Sequence, residues 1–140
     1  MVILIDINIL LDHLLKREPF YQDARKVVEL CSEDDYNGCI ALHTVTTMWY
    51  ILRKFPEEQR RKTLDYVCGI MQVVGTSHEA VVNAINDDTF KDFEDCVQSK
   101  CAMTANADYI ITNNIKDYMH PAVSAITPKD FLEMLSKEES

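Results

Sequence analysis

The chain has 140 residues, of which 47% are hydrophobic and 26% are charged. That is the size and composition of one globular domain with a single core, and it excludes a chain that stays disordered. Lys and Arg total 14 against 23 Asp and Glu, so the formal net charge is −9. This balance argues against a module that holds nucleic acid through general positive charge, but it is compatible with a metal site built from carboxylates.

Two strand–helix units are predicted in the first half of the chain. Val2–Ile5 is a short apolar run rich in β-branched residues, which is typical of a strand buried on both faces of a parallel sheet. Apolar residues at helical spacing follow it on either side of Pro19 and predict two helices. Residues 39–42 predict a second strand and residues 45–52 a helix after it, while Pro56 and the two glutamates behind it suit the start of a further helix.

The second half of the chain continues this alternation. Residues 70–74 predict a third strand, and Ser77 is a suitable N-cap for the helix after it. Apolar spacing over residues 93–104 predicts another helix, and residues 108–112 are typical of a buried strand. Residues 127–135 combine an N-cap, a proline at the first helical position and an apolar face, so they predict the closing helix.

The order of these elements predicts the fold class. Strands that alternate with helices imply crossover connections, and hence a mainly parallel sheet with helices on both faces. We therefore predict an α/β protein, a three-layer α/β/α sandwich that forms a single domain over residues 1–136. Residues 137–140 are predicted to be a polar C-terminal tail.

The cysteines and the N-terminus bear on the cellular compartment. Five cysteines without a C-x-x-C pair fit neither a complete disulfide set nor a zinc-finger framework, so we expect buried reduced thiols. The first strand follows Met1 directly, without the basic segment of a signal peptide. No apolar run approaches the ~20 residues of a membrane span, and we expect a cytoplasmic protein with no membrane partner.

Polar residues follow two predicted strands at the point where each strand ends. Asp6 and Asn8 follow the first strand. Thr112, Asn114 and Asp117 follow the strand at 108–112. Helix capping and turn formation would each explain such residues singly. Because ligands of parallel α/β sheets bind at the carboxyl ends of the strands, the coincidence at two strand ends favours a functional site.

A third acidic group begins a predicted helix. Asp92 and Asp95 are three residues apart and share a helix face, whereas Glu94 points elsewhere. Acids near a helix N-terminus are also favoured by the helix macrodipole. The local sequence therefore leaves both a structural and a functional explanation open for Asp95.

Three segments resemble the motifs of a known family. They are DINILLD at residues 6–12, DFEDCVQSKCAMTANADYIIT at residues 92–112 and TNNIKDY at residues 112–118. In this order, and at these strand ends, they resemble the N-terminal, third-acid and T-x-N-x-x-D motifs of the PIN-domain family, in particular those of its VapC-like toxin ribonucleases. The resemblance extends over nearly the whole chain.

The resemblance implies a set of site residues. By position it makes Asp6, Asp95 and Asp117 the acidic metal ligands and catalytic residues. It also implies polar support around them from three side chains: Asn8, Thr112 and Asn114. Hard cations such as Mg²⁺ or Mn²⁺ prefer oxygen ligands, and an ion held among carboxylates can orient a water for attack on a phosphodiester. The implied cofactor is therefore Mg²⁺ (or Mn²⁺).

One position departs from the pattern of the family. PIN domains of this type carry a glutamate early in the helix after the second strand, where this chain has Thr47. A threonine hydroxyl can support a metal-bound water but brings no charge, so lower metal affinity is expected and a second metal is disfavoured. Asp12 and Asp92 are candidates to replace the missing acid, but neither is preferred.

The function implied by the resemblance is that of a metal-dependent ribonuclease, the toxin of a type II toxin–antitoxin system. Its implied partners are RNA and a small antitoxin that occupies the acidic groove, and its implied state is a homodimer formed through helices of the first half. Because Thr47 replaces the acid, the alternative is a catalytically degenerate PIN domain that binds RNA or protein. A haloacid-dehalogenase-like phosphatase also begins with a strand and an aspartate, but it requires a second aspartate at the position of Asn8.

Three further groups of residues receive no assigned role. Trp49 and Tyr50 could stack on nucleobases, although aromatic residues at helical spacing more often belong to a core. Positive charge is densest between residues 53 and 62, and a solvated helix surface explains it better than contact with RNA. Four scattered histidines lack metal-binding spacing: His13, His43, His78 and His120.

Overall fold

The computed structural model describes residues 1–119 and 122–139. These residues form five strands: β1 (Val2–Ile5), β2 (Asn37–Ala41), β3 (Gln72–Val74), β4 (Tyr109–Ile111) and β5 (Ser124–Ile126). They also form seven α-helices: α1 (Ile7–Leu14), α2 (Tyr21–Leu30), α3 (Leu42–Ile51), α4 (Glu57–Ile70), α5 (His78–Ile85), α6 (Phe93–Thr104) and α7 (Pro128–Glu139). A 3₁₀ turn covers Ile115–Tyr118. None of the helices in these two ranges is long and apolar enough to cross a lipid bilayer.

The strands form one parallel sheet in the order β3-β2-β1-β4-β5. The chain builds outward from β1 to β3 on one side, then crosses back and builds β4 and β5 on the other. The switch point of the sheet therefore lies between β1 and β4, where parallel α/β sheets bind their ligands. Ile5 of β1 pairs with Ile111 of β4, so the residues that follow these two strands emerge side by side.

Helices cover both faces of the sheet, because successive side chains of each strand point in opposite directions. Ile3 and Ile5 pack into one core cluster, whereas Leu4 between them packs into a second. The first cluster includes buried residues of α1, α2 and α7, and the second includes residues of α6. The predicted three-layer α/β/α sandwich is confirmed.

The cysteines are free thiols. Four of them are buried and Cys68 is exposed. Burial raises the pKa of the Cys31 thiol to about 12 and that of Cys39 to about 11, so both stay protonated near neutral pH. The expected reduced core thiols are present at four of the five positions.

The structure differs from the sequence prediction in one strand and at several element boundaries; for example, Leu42 begins α3 and does not end the second strand. Strand β5 was not predicted, because its three residues lie at the sheet edge and none is fully buried. The third strand begins at Gln72 and not at residue 70, since α4 continues through Gly69 to Ile70. Helix α7 runs to Glu139, so residues 137–139 of the predicted polar tail are helical, while Ser140 lies outside the described residues.

Candidate functional site

The first part of the site forms where β1 and β4 end. The pairing of Ile5 with Ile111 brings Asp6 beside Thr112, and the N–H of Asp6 donates to the Ile111 carbonyl at 3.0 Å. The Thr112 hydroxyl donates to Asp6 Oδ2 at 2.8 Å. Asp6 occupies the N-cap position of α1, but its carboxylate makes no capping hydrogen bond. The carboxylate accepts from Thr112 and Gln98, so helix capping alone does not explain its position.

Helix α6 brings the second acid. Asp92 is the N-cap of this helix, and its carboxylate accepts from the N–H groups of Glu94 at 2.8 Å and Asp95 at 3.2 Å. The cap places Asp95 in the first helical turn, half-buried and facing the strand ends. The structural explanation thus applies to Asp92, which the fold uses as a cap and not as a free substitute ligand.

Two residues that sequence reasoning missed connect the acids. Gln98 Nε2 donates to the Tyr118 hydroxyl at 2.7 Å and to Asp6 Oδ1 at 3.4 Å. The Tyr118 hydroxyl donates in turn to Asp95 Oδ1 at 3.1 Å. Gln98 lies three residues after Asp95, on the same helix face. A polar residue one helical turn after the candidate acid was the available signal.

The acids share one electrostatic environment. Burial raises the pKa of Asp6, and the negative charge of Asp117 adds to the rise. Burial first, and then the charge of Asp92, raise the pKa of Asp95 to about 7. Asp6 and Asp117 contribute to the same rise in Asp95. The three acids predicted from the family motifs are therefore close enough to repel one another.

This donor set fits a hard divalent cation. The groups are carboxylate, amide and hydroxyl oxygens, which Mg²⁺ and Mn²⁺ prefer. A cation among them would offset both the burial of the charges and the smaller repulsion between them that raise the pKa values of Asp6 and Asp95. In residues 1–119 and 122–139, however, no three His, Cys, Asp or Glu side chains converge as a ready-made metal site. The site therefore suits a divalent cation in the type of its donor atoms and in its negative charge.

The supporting residues divide into two groups. Thr112 is buried and bonded to Asp6. Asn114 contributes its backbone, since its N–H donates to the Thr112 hydroxyl at 3.0 Å and its carbonyl accepts from the N–H of Asp117 at 3.1 Å. The Asn8 side chain instead lies 3.5 Å from Arg17 Nη2. Asn8 therefore takes no part in the hydrogen-bond network around Asp6.

Helix α3 borders the site through His43. The imidazole Nε2 lies 3.8 Å from a carboxylate oxygen of Glu94, and burial lowers the pKa of His43 while the charges of Glu94 and Asp6 oppose that shift. Thr47 lies one helical turn further on the same face, and its hydroxyl bonds to none of the described residues. The position that lacks the family's acid thus shares the helix face that borders the acids.

Asp12 does not replace the missing acid. It is buried on α1, and its carboxylate accepts from Arg17 Nε at 2.8 Å. This ion pair offsets the burial of the charge, so Asp12 has a structural role. Of the four histidines, His120 lies outside the described residues, and His13 is 3.2 Å from the Tyr66 hydroxyl.

Replacing Asp95 with asparagine is expected to stabilise the metal-free protein at high pH but not at low pH. The pKa of Asp95 is about 7 in the folded protein against an ordinary value of 3.8, so the folded state binds the extra proton between these values. The stability of the wild type therefore falls as the pH rises from about 4 to about 7. Asparagine carries no charge and avoids this loss. Because Asp95 is only half-buried, screening limits the gain at pH 8 to on the order of 1 kcal/mol, or about 4 °C in Tm.

Thermal melts followed by circular dichroism in EDTA, at pH 4 and pH 8, test this expectation. Asp88→Asn is the matched control, because Asp88 lies on an exposed loop between α5 and α6. It should give the same Tm as the wild type at each pH. A lower Tm for Asp95→Asn at both pH values would show that the carboxylate stabilises the fold.

The fold defines a class of protein: a three-layer parallel α/β domain in which Gln98 and Tyr118 link Asp6 to Asp95 beside the switch point of the sheet. The sequence matches the family model of the PIN domain over residues 2–116. The chain belongs to the PIN domain family. The resemblance predicted from the three motifs is confirmed, and the phosphatase alternative is set aside.

Relatives of known sequence and structure agree with this assignment. The chain is 22% identical over 135 residues to Ribonuclease VapC1 of Aquifex aeolicus (strain VF5), with 94% of this chain and 93% of that protein covered. It is similar in structure to VapBC-1 of nontypeable Haemophilus influenzae, with a TM-score of 0.70, 17% identity and coverage of 92% and 99% of the two chains. A toxin–antitoxin complex from Klebsiella pneumoniae gives a TM-score of 0.68 at 21% identity, covering 89% and 96%.

Proposed function

We propose that this protein is a metal-dependent ribonuclease that hydrolyses RNA phosphodiester bonds and acts as the toxin of a type II toxin–antitoxin system. One observation carries the proposal. In a chain of the PIN domain family, the ends of β1 and β4 and the start of α6 bring Asp6, Asp95 and Asp117 into one electrostatic environment. The relatedness to Ribonuclease VapC1 supports RNA as the substrate.

The three acids would bind the cation, and the side chains that bond to the acids would fix their positions. When bound, Mg²⁺ (or Mn²⁺) supplies positive charge for the phosphate and a more acidic water. Thr112 and Gln98 fix the Asp6 carboxylate through its two oxygens. Tyr118 orients Asp95, and burial keeps the pKa of this tyrosine above its ordinary value, so the hydroxyl remains a donor. Asn114 would support the site through its backbone N–H and carbonyl. Thr47 would add a neutral hydroxyl.

The partners follow from the same proposal. The structural neighbours include toxin–antitoxin complexes, which supports a small antitoxin as the inhibitor of this chain. Its binding segment would cover the acidic groove, and the toxin would form a homodimer through helices of the first half. The expected location is the cytoplasm, where RNA substrates occur.

Cleavage of a mixed single-stranded RNA by the purified chain tests the proposal. We expect cleavage in Mg²⁺ or Mn²⁺, none in EDTA, and recovery when either ion is returned in excess. Intact RNA under every condition would refute the ribonuclease, and cleavage that persists in EDTA would refute the role of the metal.

A second candidate function is favoured by Thr47. With no carboxylate at this position, the domain is a catalytically degenerate module that binds RNA or protein through the same groove. This candidate predicts RNA binding without cleavage and no binding of Mn²⁺ up to millimolar concentrations. A calorimetric titration with Mn²⁺ distinguishes the two functions.

A further inference from the structure

Tyr50 on the exposed side of α3 and Arg53 in the turn after this helix lie outside both core clusters. Tyr50 is 63% exposed. The Arg53 guanidinium lies 4.2 Å from the centre of the Tyr50 ring, and its Nη1 donates to the Tyr50 carbonyl at 3.1 Å. Within the described part of the chain, Arg53 pairs with no carboxylate. One face of the ring thus carries a cation, while most of the residue is accessible to solvent.

The neighbouring Trp49 is used differently. It is half-buried, and two guanidiniums approach its ring: Arg60 at 4.0 Å and Arg61 at 5.2 Å. Arg61 is itself held by Glu57 at 2.8 Å. Trp49 is thus half-buried beneath two guanidiniums, and the expectation that aromatic residues at this spacing belong to the core is wrong for the exposed Tyr50.

Tyr50 lies in line with the acidic site. His43, Thr47 and Tyr50 are spaced by four and three residues, so they form one stripe along α3. The stripe starts beside the acids, where His43 is 3.8 Å from Glu94 and responds to the charge of Asp6. Seven residues of helix separate His43 from Tyr50, a distance of about 10 Å. The stripe therefore leads outward from the acids over a distance of a few nucleotides.

Positive charge is concentrated at the outer end of this stripe. Residues 53–62 hold five of the 14 Lys and Arg of a chain whose net charge is −9. Two of these cations, Arg61 and Lys62, are paired with glutamates one turn before them. Three of the five have no carboxylate partner among the described residues: Arg53, Lys54 and Arg60. A polyanion that is repelled by the acids has a favourable surface here.

We propose that this stripe and the residues after it bind single-stranded RNA and lead it to the acidic site, with Tyr50 as a base-stacking platform and Arg53 as a phosphate contact. The inference rests on the proposed ribonuclease function and adds the side chains that hold its substrate. Proteins recognise single-stranded RNA by stacking its unpaired bases on aromatic rings and on guanidinium planes, and Tyr50 with Arg53 presents both.

Binding is measured on an Asp6→Asn background in Mg²⁺, so that RNA stays intact, by the fluorescence anisotropy of a labelled single-stranded RNA of mixed sequence. We expect Tyr50→Ala to weaken binding about tenfold and Tyr50→Phe, which keeps the ring, to change it little. Arg53→Gln should weaken binding and lower the slope of log K against log salt by about 0.7. Lys26→Gln, which removes the same charge from the exposed side of α2, should leave both unchanged.

Three results would overturn the inference. One is equal affinity of all variants, and another is no RNA binding by the background protein. The third is a Tyr50→Ala variant whose mass in sedimentation differs from that of its parent, because the surface is then a contact between subunits. Failure of the ribonuclease proposal gives a different result: RNA bound through Tyr50 but never cleaved by the chain with Asp6 intact.

Discussion

Substitution of Asp6 by asparagine is expected to reduce metal-dependent RNA cleavage by about 100-fold or more. Asp6 connects the end of β1 to β4 and α6, because its two carboxylate oxygens accept from Thr112, which follows β4, and from Gln98 on α6. Asparagine keeps the size and one acceptor oxygen but removes the charge that a divalent cation requires. Loss of a residue that only supports a ligand costs about 10- to 100-fold. Loss of a charged ligand itself should therefore reach or exceed the upper end of that range.

Initial cleavage rates at equal Mn²⁺ measure this effect. Asp130→Asn is the matched control, because Asp130 is exposed in the first turn of α7 and its side chain bonds to none of the described residues. It should retain full activity. Burial raises the pKa of Asp6, so Asp6→Asn should melt at or above the Tm of the wild type near neutral pH, and its loss of activity cannot then be due to unfolding. An Asp6→Asn enzyme within a few-fold of the wild type would exclude Asp6 as a metal ligand.

Substitution of Thr47 by glutamate is expected to tighten Mn²⁺ binding on the order of tenfold and to raise cleavage. Thr47 is half-buried on the face of α3 that also carries His43. Its hydroxyl bonds to none of the residues that the structure describes, so the change breaks no hydrogen bond among them. A carboxylate there adds a charged oxygen donor, and the affinity of oxygen sites for divalent cations rises with their charge. Without metal, the added charge should lower the Tm, because it joins acids that already repel one another.

Calorimetric titration and cleavage rates of Thr47→Glu are compared with those of Thr47→Gln. Glutamine has nearly the same size and shape but no charge, so it should leave Mn²⁺ affinity close to that of the wild type. Equal affinities of the two variants would show that residue 47 does not face the cation. Cleavage that appears only in Thr47→Glu would identify the natural chain as a binding module that lost catalysis through this one position.

Much of the site was predictable because its signals are local. Asp6 follows a four-residue apolar strand, so both the strand and its polar end are visible within a few residues of sequence. The N-cap roles of Ser77 and Thr127 were predicted in the same way, and their hydroxyls accept from the N–H groups three residues on, at 3.1 Å in each case.

Other features were not predictable from neighbouring residues. Strand β5 has no apolar run of its own, and it is defined by its parallel pairing with β4. The helical spacing of Tyr50 favoured a core position, but spacing alone does not reveal which face of a helix packs against the rest of the protein. The position of Asn8 suggested support for Asp6, but Arg17 lies beside it instead.

The sequence by itself determined most of the elements, the parallel α/β class and the family, and its motifs predict the three acids, because hydrophobic periodicity, capping and motif order are properties of short segments. Only the tertiary structure decided which side chains hold those acids. The bonds to Asp6 from Gln98 and Thr112 join residues 92 and 106 positions apart in the chain. Such contacts depend on strand order and register, which arise only when the whole sheet is buried between its helices, so no local pattern carries them.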